Sequence, residues 1–109
     1  MKVLLVEDND GIRDALVPLL ERLTDELFVA KDGFEGLELA KEHYFDVIIT
    51  DYHMPRMNGV EMIEHIKEFN KSTKFIITTA HPSDIDAKYK VFIKPLNTSK
   101  LKRYLKKEN

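Results

Sequence analysis

Three carboxylates, a hydroxyl and an ammonium stand at the ends of four short apolar runs. Glu7 and Asp8 follow Val3–Val6, Asp51 follows Val47–Thr50, Thr79 follows Phe75–Thr78, and Lys94 follows Val91–Ile93. If the runs are parallel strands, all four polar ends meet on one edge of one sheet. Carboxylates packed that closely repel, on the order of 4 kcal/mol for a unit-charge pair at 4 Å in an effective dielectric near 20. Lys94 alone cannot neutralise three of them, so either one acid stays protonated or a cation binds. An all-oxygen cluster without thiolates favours a hard ion such as Mg²⁺. Mg²⁺ on one or two carboxylates, completed by water and phosphate oxygens, is a common phosphoryl-transfer arrangement, and a carboxylate can itself be the nucleophile that becomes an aspartyl-phosphate. Thr79 and Lys94 would then donate to the phosphoryl oxygens.

The elements that must position these groups alternate along the chain. Val3–Val6 is apolar throughout, as in a strand covered on both faces. Ile12, Ala15, Leu16, Leu19, Leu20 and Leu23 then recur at helix spacing, with Pro18 inside the stripe predicting a bend. Leu27–Ala30 reads as a second strand, and Asp32 with Glu35 as a capping box opening a helix to about Tyr44. Phe45–Thr50 is the third strand; Asn58 with Glu61 caps a third helix that buries Met62, Ile63, Ile66 and Phe69. Lys74–Thr78 and Val91–Ile93 are the fourth and fifth strands, and Asn97 or Thr98 caps a last helix burying Leu101, Tyr104 and Leu105. This order predicts an α/β fold: a doubly wound, five-stranded parallel sheet with helices on both faces and its site beyond the carboxyl ends of the strands.

The whole chain narrows the setting. Its 109 residues, 43% of them hydrophobic, suit one domain over residues 1–109. With 17 basic and 19 acidic residues the net charge is −2, so no global excess points to nucleic acid or an anionic membrane. The basic end, Lys100, Lys102, Arg103, Lys106 and Lys107, reads as the solvated face of the last helix, and no direct nucleic-acid binding is expected. Zero cysteines exclude a disulfide framework and fit a reducing, cytoplasmic location. The longest apolar runs fall far below the ~20 residues that span a bilayer, and Glu7-Asp8 interrupt the first run too early for a signal peptide.

Taken together, Glu7-Asp8 after the first strand, the stretch DYHMPRMNG from Asp51 to Gly59, Thr79-Ala80 and Lys94-Pro95 resemble the receiver domain of two-component response regulators. The likeness covers nearly the whole chain. It implies a flavodoxin-like receiver fold with strand order 2-1-3-4-5. It implies that Asp51 is the phosphoacceptor, taking a phosphoryl group from the phosphohistidine of a sensor histidine kinase or histidine phosphotransfer protein. Asp8, Asp51 and the backbone carbonyl of His53 would ligate Mg²⁺, Glu7 would act mainly through water, and Thr79 and Lys94 would contact the phosphoryl group. Such a domain signals through altered protein binding, contributes catalytic groups only to its own phosphorylation and dephosphorylation, and inserts in no membrane; a homodimer is compatible with it. A cis Lys94–Pro95 bond is also implied.

Two positions depart from that pattern. Val91 stands three residues before the lysine, where receivers carry an aromatic that swings with the threonine. The segment 80–93 is about two helical turns shorter than in the family, and Pro82, Ser83, Asp84 and Asp86 give it a turn-like character. The fourth helix is therefore expected to be shortened to about one turn or absent, exposing the fourth and fifth strands on a face that many receivers use to dimerise or bind targets. Two other functions follow from different readings of the same residues. One is an interaction module with a constitutive interface and little phosphorylation-driven switching. The other is a phosphohydrolase of the haloacid-dehalogenase type, against which His53 stands where a second aspartate belongs. Among the histidines, His43 and His65 are expected on helix surfaces, whereas His53 and His81 each follow a site residue by two positions. With ordinary pKa values near 6.5, the latter pair would make the phosphoryl lifetime pH-dependent.

Overall fold

The computed structural model describes residues 1–108; of the expected domain over 1–109, Asn109 lies outside the described residues. Five parallel strands form one sheet: β1 (Lys2–Val6), β2 (Glu26–Ala30), β3 (Val47–Asp51), β4 (Lys74–Thr79) and β5 (Lys90–Ile93). Their order is β2-β1-β3-β4-β5, the one that the resemblance implies. Helices α1 (Asp10–Leu23), α2 (Gly33–Glu42), α3 (Gly59–Lys67) and α4 (Thr98–Glu108) cover it, and between β4 and β5 there is only a three-residue 3-10 turn, Pro82–Asp84. The sequence expectation of a missing or one-turn helix holds there. Among the described residues, no helix is long and apolar enough to cross a membrane.

Side-chain alternation along the strands divides the core into two layers. Leu4, Val6 and Ile48 point to α2 and α3, meeting Ala40, Met62 and Ile66. Val3, Leu5, Val47, Ile49 and Ile76 point to α1 and α4, meeting Leu20, Leu101 and Leu105. Gly36 lets the first layer close: a Cβ there would lie 2.8 Å from the Met62 sulfur and 3.0 Å from a Val6 methyl. A smaller cluster of Ile63, Ile77 and Ile85 lies under the short turn, with Tyr89 and Val91 packed against it.

Helix ends follow local chemistry, with corrections to the sequence reading. The α3 box is complete, Asn58 and Glu61 each accepting the other's backbone N–H. In α2 only half of it forms: Asp32 accepts from the Glu35 N–H at 2.8 Å, while Glu35 reaches Lys31 N–H instead. That helix stops at Glu42, short of Tyr44, with His43 in extended conformation. Asn97, not Thr98, caps α4 through the Lys100 N–H, and Tyr104 is only half-buried beside buried Leu101 and Leu105. Phe69 is 48% exposed rather than buried. Its N–H bonds to Ile66 three residues back, and this tightened end of α3 turns the ring out of the stripe. On α1 the helix continues through Pro18, and of the predicted stripe Leu20 alone is fully buried, with Ile12 and Ala15 exposed. His65 is exposed as expected, but His43 is half-buried, its ring 4.5 Å from that of Phe28 and its Nδ1 3.2 Å from Lys2 Nζ.

Candidate functional site

Register brings the reactive residues to one edge. Val6 pairs with Thr50, so Glu7 and Asp51 leave the sheet side by side; Asp51 pairs with Thr78, and Thr79 with Ile93, which places Lys94 one step beyond. Carboxylate oxygens of Glu7, Asp8 and Asp51 lie within 4.8 Å of one another. Glu7 is 1% exposed and Asp51 6%, whereas Asp8 faces solvent. Lys94 Nζ reaches across from β5 to Asp51 Oδ2 at 3.1 Å and Glu7 Oε1 at 3.4 Å. The Lys94–Pro95 bond is cis.

The backbone around Asp51 is fixed from two sides. Its carbonyl accepts the Thr50 hydroxyl at 2.9 Å, and Gly59 N–H donates to the Tyr52 carbonyl at 2.9 Å. That close return is why residue 59 carries no side chain: a Cβ would sit 2.5 Å from the Asp51 carbonyl oxygen. Glu7 is held by the Asn9 N–H on Oε2 at 3.1 Å, and its main-chain carbonyl accepts the Arg13 guanidinium at 2.9 Å. Arg13 also pairs with Asp10. The sequence reading gave Asn9 and Arg13 no place in the site. The signal for Arg13 was its spacing of three from Asp10 on the first turn of α1, a surface ion pair that reveals nothing of the contact with Glu7.

Electrostatics follow from burial. Desolvation raises the Glu7 carboxyl above its ordinary range, the Asn9 N–H opposes this, the Asp51 charge adds to it, and Lys94 opposes it. On Lys94 burial acts downward, but the hydrogen bond and charge of Asp51, reinforced by Glu7, leave the ammonium raised and therefore firmly charged. Three ionised acids and one ammonium would leave the cluster at −3 + 1 = −2 (carboxylates Glu7, Asp8 and Asp51 against Lys94). Two buried carboxylates and one open to solvent fit a hard divalent cation, which would restore neutrality.

Thr79 is fully buried at the end of β4, and its hydroxyl accepts the His81 N–H at 3.1 Å, so its own proton remains available to donate. His53 and His81 are exposed on the rim, their rings edge-to-face at 6.2 Å. A cleft of about 520 Å³ lined by Tyr52, His53, Pro55, Asn58 and Asp84 opens beside them. Val91, at the position of the expected aromatic, is half-buried in the cluster under the short turn.

The family model of the response regulator receiver domain matches residues 3–106. A response regulator receiver protein of Anaeromyxobacter sp. strain Fw109-5 is 32% identical over 76% of this chain and 35% of its own. The transcriptional regulatory protein SrrA of Staphylococcus aureus is 37% identical over 72% of this chain and 32% of its own. The chain thus aligns with about a third of the length of these curated relatives. Among solved structures, the chemotaxis protein CheY4 of Vibrio cholerae superposes with a TM-score of 0.84 at 30% identity, covering 99% of this chain and 98% of that one. The receiver domain of sensor histidine kinase PA1611 from Pseudomonas aeruginosa, solved with a magnesium ion coordinated in its active-site cleft, superposes at 0.87 with 23% identity, covering 97% and 94%.

Proposed function

This chain belongs to the response regulator receiver domain family, a signalling domain of two-component systems, and from that premise we propose that it accepts a phosphoryl group on Asp51 from a phosphohistidine. The donor would be a sensor histidine kinase or histidine phosphotransfer protein in the cytoplasm. The observation that carries the reading is the convergence of Glu7, Asp8 and Asp51 within 4.8 Å with Lys94 3.1 Å from Asp51.

An Asp51 carboxylate oxygen forms the new O–P bond as the N–P bond of the phosphohistidine breaks, its electron pair leaving on the imidazole. Lys94, held charged beside Asp51, moves its donors to the phosphoryl oxygens as charge builds, and the Thr79 hydroxyl donates from the neighbouring strand end. Asn9 N–H holds the Glu7 carboxylate, which shares the Lys94 ammonium with the acceptor. Asp8, Asp51 and the His53 carbonyl would hold Mg²⁺, with Glu7 acting through water; when bound it neutralises the carboxylates and the phosphoryl oxygens together. The PA1611 receiver, which holds magnesium in its cleft, supports this assignment.

Incubation with Mg²⁺ and phosphoramidate should add one phosphoryl group, read by intact mass, and the gain should vanish in Asp51→Asn and with EDTA. Modification that persists in Asp51→Asn would overturn the acceptor assignment. Ordinary enzymatic turnover of small phosphate esters would instead revive a phosphohydrolase, against which the domain's family stands.

A further inference from the structure

β5 forms one side of the sheet, and among the described residues its outer edge has no neighbouring strand. Lys94 N–H donates to the Thr79 carbonyl at 2.8 Å, so by alternation Phe92 and Lys90 also direct their backbone groups to β4. The N–H and C=O of Val91 and Ile93 therefore point outward, a template for another strand. Natural edges are commonly guarded by lysines. Here neither flanking lysine covers the edge: Lys94 turns into the acidic site, and Lys90 lies to one side in the groove, its Nζ 4.9 Å from the centre of the Tyr104 ring. Ile93 is left 59% exposed, because no crossover helix covers its face.

Charge selects the occupant. A groove of about 600 Å³ runs along the edge toward α4, bounded by Lys90, Lys100 and Arg103, and among the described residues no carboxylate lines it. A second copy would set these same cations against themselves, which opposes self-pairing. Single-stranded nucleic acid would want an open aromatic platform, whereas Phe92 and Tyr104 are half-buried and meet edge-to-face with ring centres 5.7 Å apart.

We propose that the β5 edge takes an extended, acidic segment of a partner protein as a sixth strand, its carboxylates meeting Lys90, Lys100 and Arg103 and an apolar side chain covering Ile93. The segment pairs through main-chain hydrogen bonds to Val91 and Ile93, and its alternate side chains supply the charge.

The full chain is titrated with a labelled peptide alternating glutamate and valine, and with its lysine–valine counterpart, while amide NMR follows the protein. The acidic peptide should bind preferentially, shift and protect the Val91 and Ile93 amides, and weaken about tenfold or more with Lys100→Glu/Arg103→Glu. Ile93→Glu should weaken it too, and all three substitutions are at exposed positions, so melting should stay unchanged. Equal binding of both peptides, or shifts away from β5, would overturn the proposal. So would a thymidine oligonucleotide that displaces the peptide and perturbs the same amides, or a dimer that protects them without peptide. Asp51→Asn should bind the acidic peptide unchanged, so failure of the phosphoacceptor reading would leave this result separate.

Discussion

Two crossovers lie on the same face of the sheet and solve the same problem differently. From β3 to β4 the chain passes through α3, whose Met62, Ile63 and Ile66 are fully buried. From β4 to β5 it passes through one 3-10 turn, and Ile85 alone of its side chains is buried, against Ile63 and Ile77. β3, roofed on both faces, is buried at every position; β5 has none fully buried. Yet β5 keeps its register and still delivers Lys94 to Asp51. Backbone pairing to β4 suffices to place a side chain at the sheet edge, whereas covering a strand requires a helix.

The contrast predicts where substitutions hurt. The largest loss should come from Ile77→Ala, about 2–5 kcal/mol for a fully buried side chain, against a change within about 0.5 kcal/mol for Ile93→Ala. Urea melts of both variants check it, and equal losses would mean that β5 is covered after all. Next comes Gly59→Ala, in the covered crossover: a methyl 2.5 Å from the Asp51 carbonyl must displace backbone, costing about 1–3 kcal/mol together with phosphoramidate-dependent modification. An alanine variant that phosphorylates normally would show that the return to Asp51 is looser than its geometry.

Tyr89→Phe tests what ties the short crossover down. The Tyr89 hydroxyl donates to Glu64 of α3 at 2.5 Å, and its loss should cost about 0.5–1.5 kcal/mol. Burial, then the hydrogen bond and charge of Glu64, push the phenol up to about 12. The protonated form is favoured by folding, so this contribution is complete below about pH 10 and is lost as pH rises from about 10 to 12. Melting of the wild type minus Tyr89→Phe across that window reads it directly. Smallest of all, lengthening the segment between Asp86 and Lys88 by a few polar residues should cost well under ~0.6 kcal/mol, since loop-closure entropy grows slowly with length. The same insertion in α3 should unfold the domain.

How much was legible in the sequence divides along the same line. Glu7, Asp8, Asp51 and Lys94 could be read because each ends a run whose apolar residues fix strand and direction, and topology then has few ways to arrange them. The absent helix was legible because residues 80–93 lack an apolar stripe. Phe69 was misplaced because where the last turn of α3 tightens is decided by local carbonyl bonding, to which periodicity is blind. His43 was misread for the opposite reason: beside Phe45 two residues on, its partners Phe28 and Lys2 come from distant strands, and nothing in its own segment announces those two. Asn9 reaches Glu7 through its own backbone N–H, and the Arg13 guanidinium lands on the Glu7 main-chain carbonyl; in each contact one partner is a backbone atom, which leaves no mark on residue type.

The hydrogen bond from Lys94 N–H to the Thr79 carbonyl joins the two ends of the short crossover. It makes the segment between them a closed ring whose motion need not disturb either anchor. Loops of this kind move in nanoseconds to microseconds, whereas packed helices shift collectively over microseconds to milliseconds. Relaxation experiments should therefore find the exposed residues 86–88 fast and local, with Thr79, Lys94 and buried Ile85 quiet around them. Time, as well as space, separates the acidic site from the loop beside it.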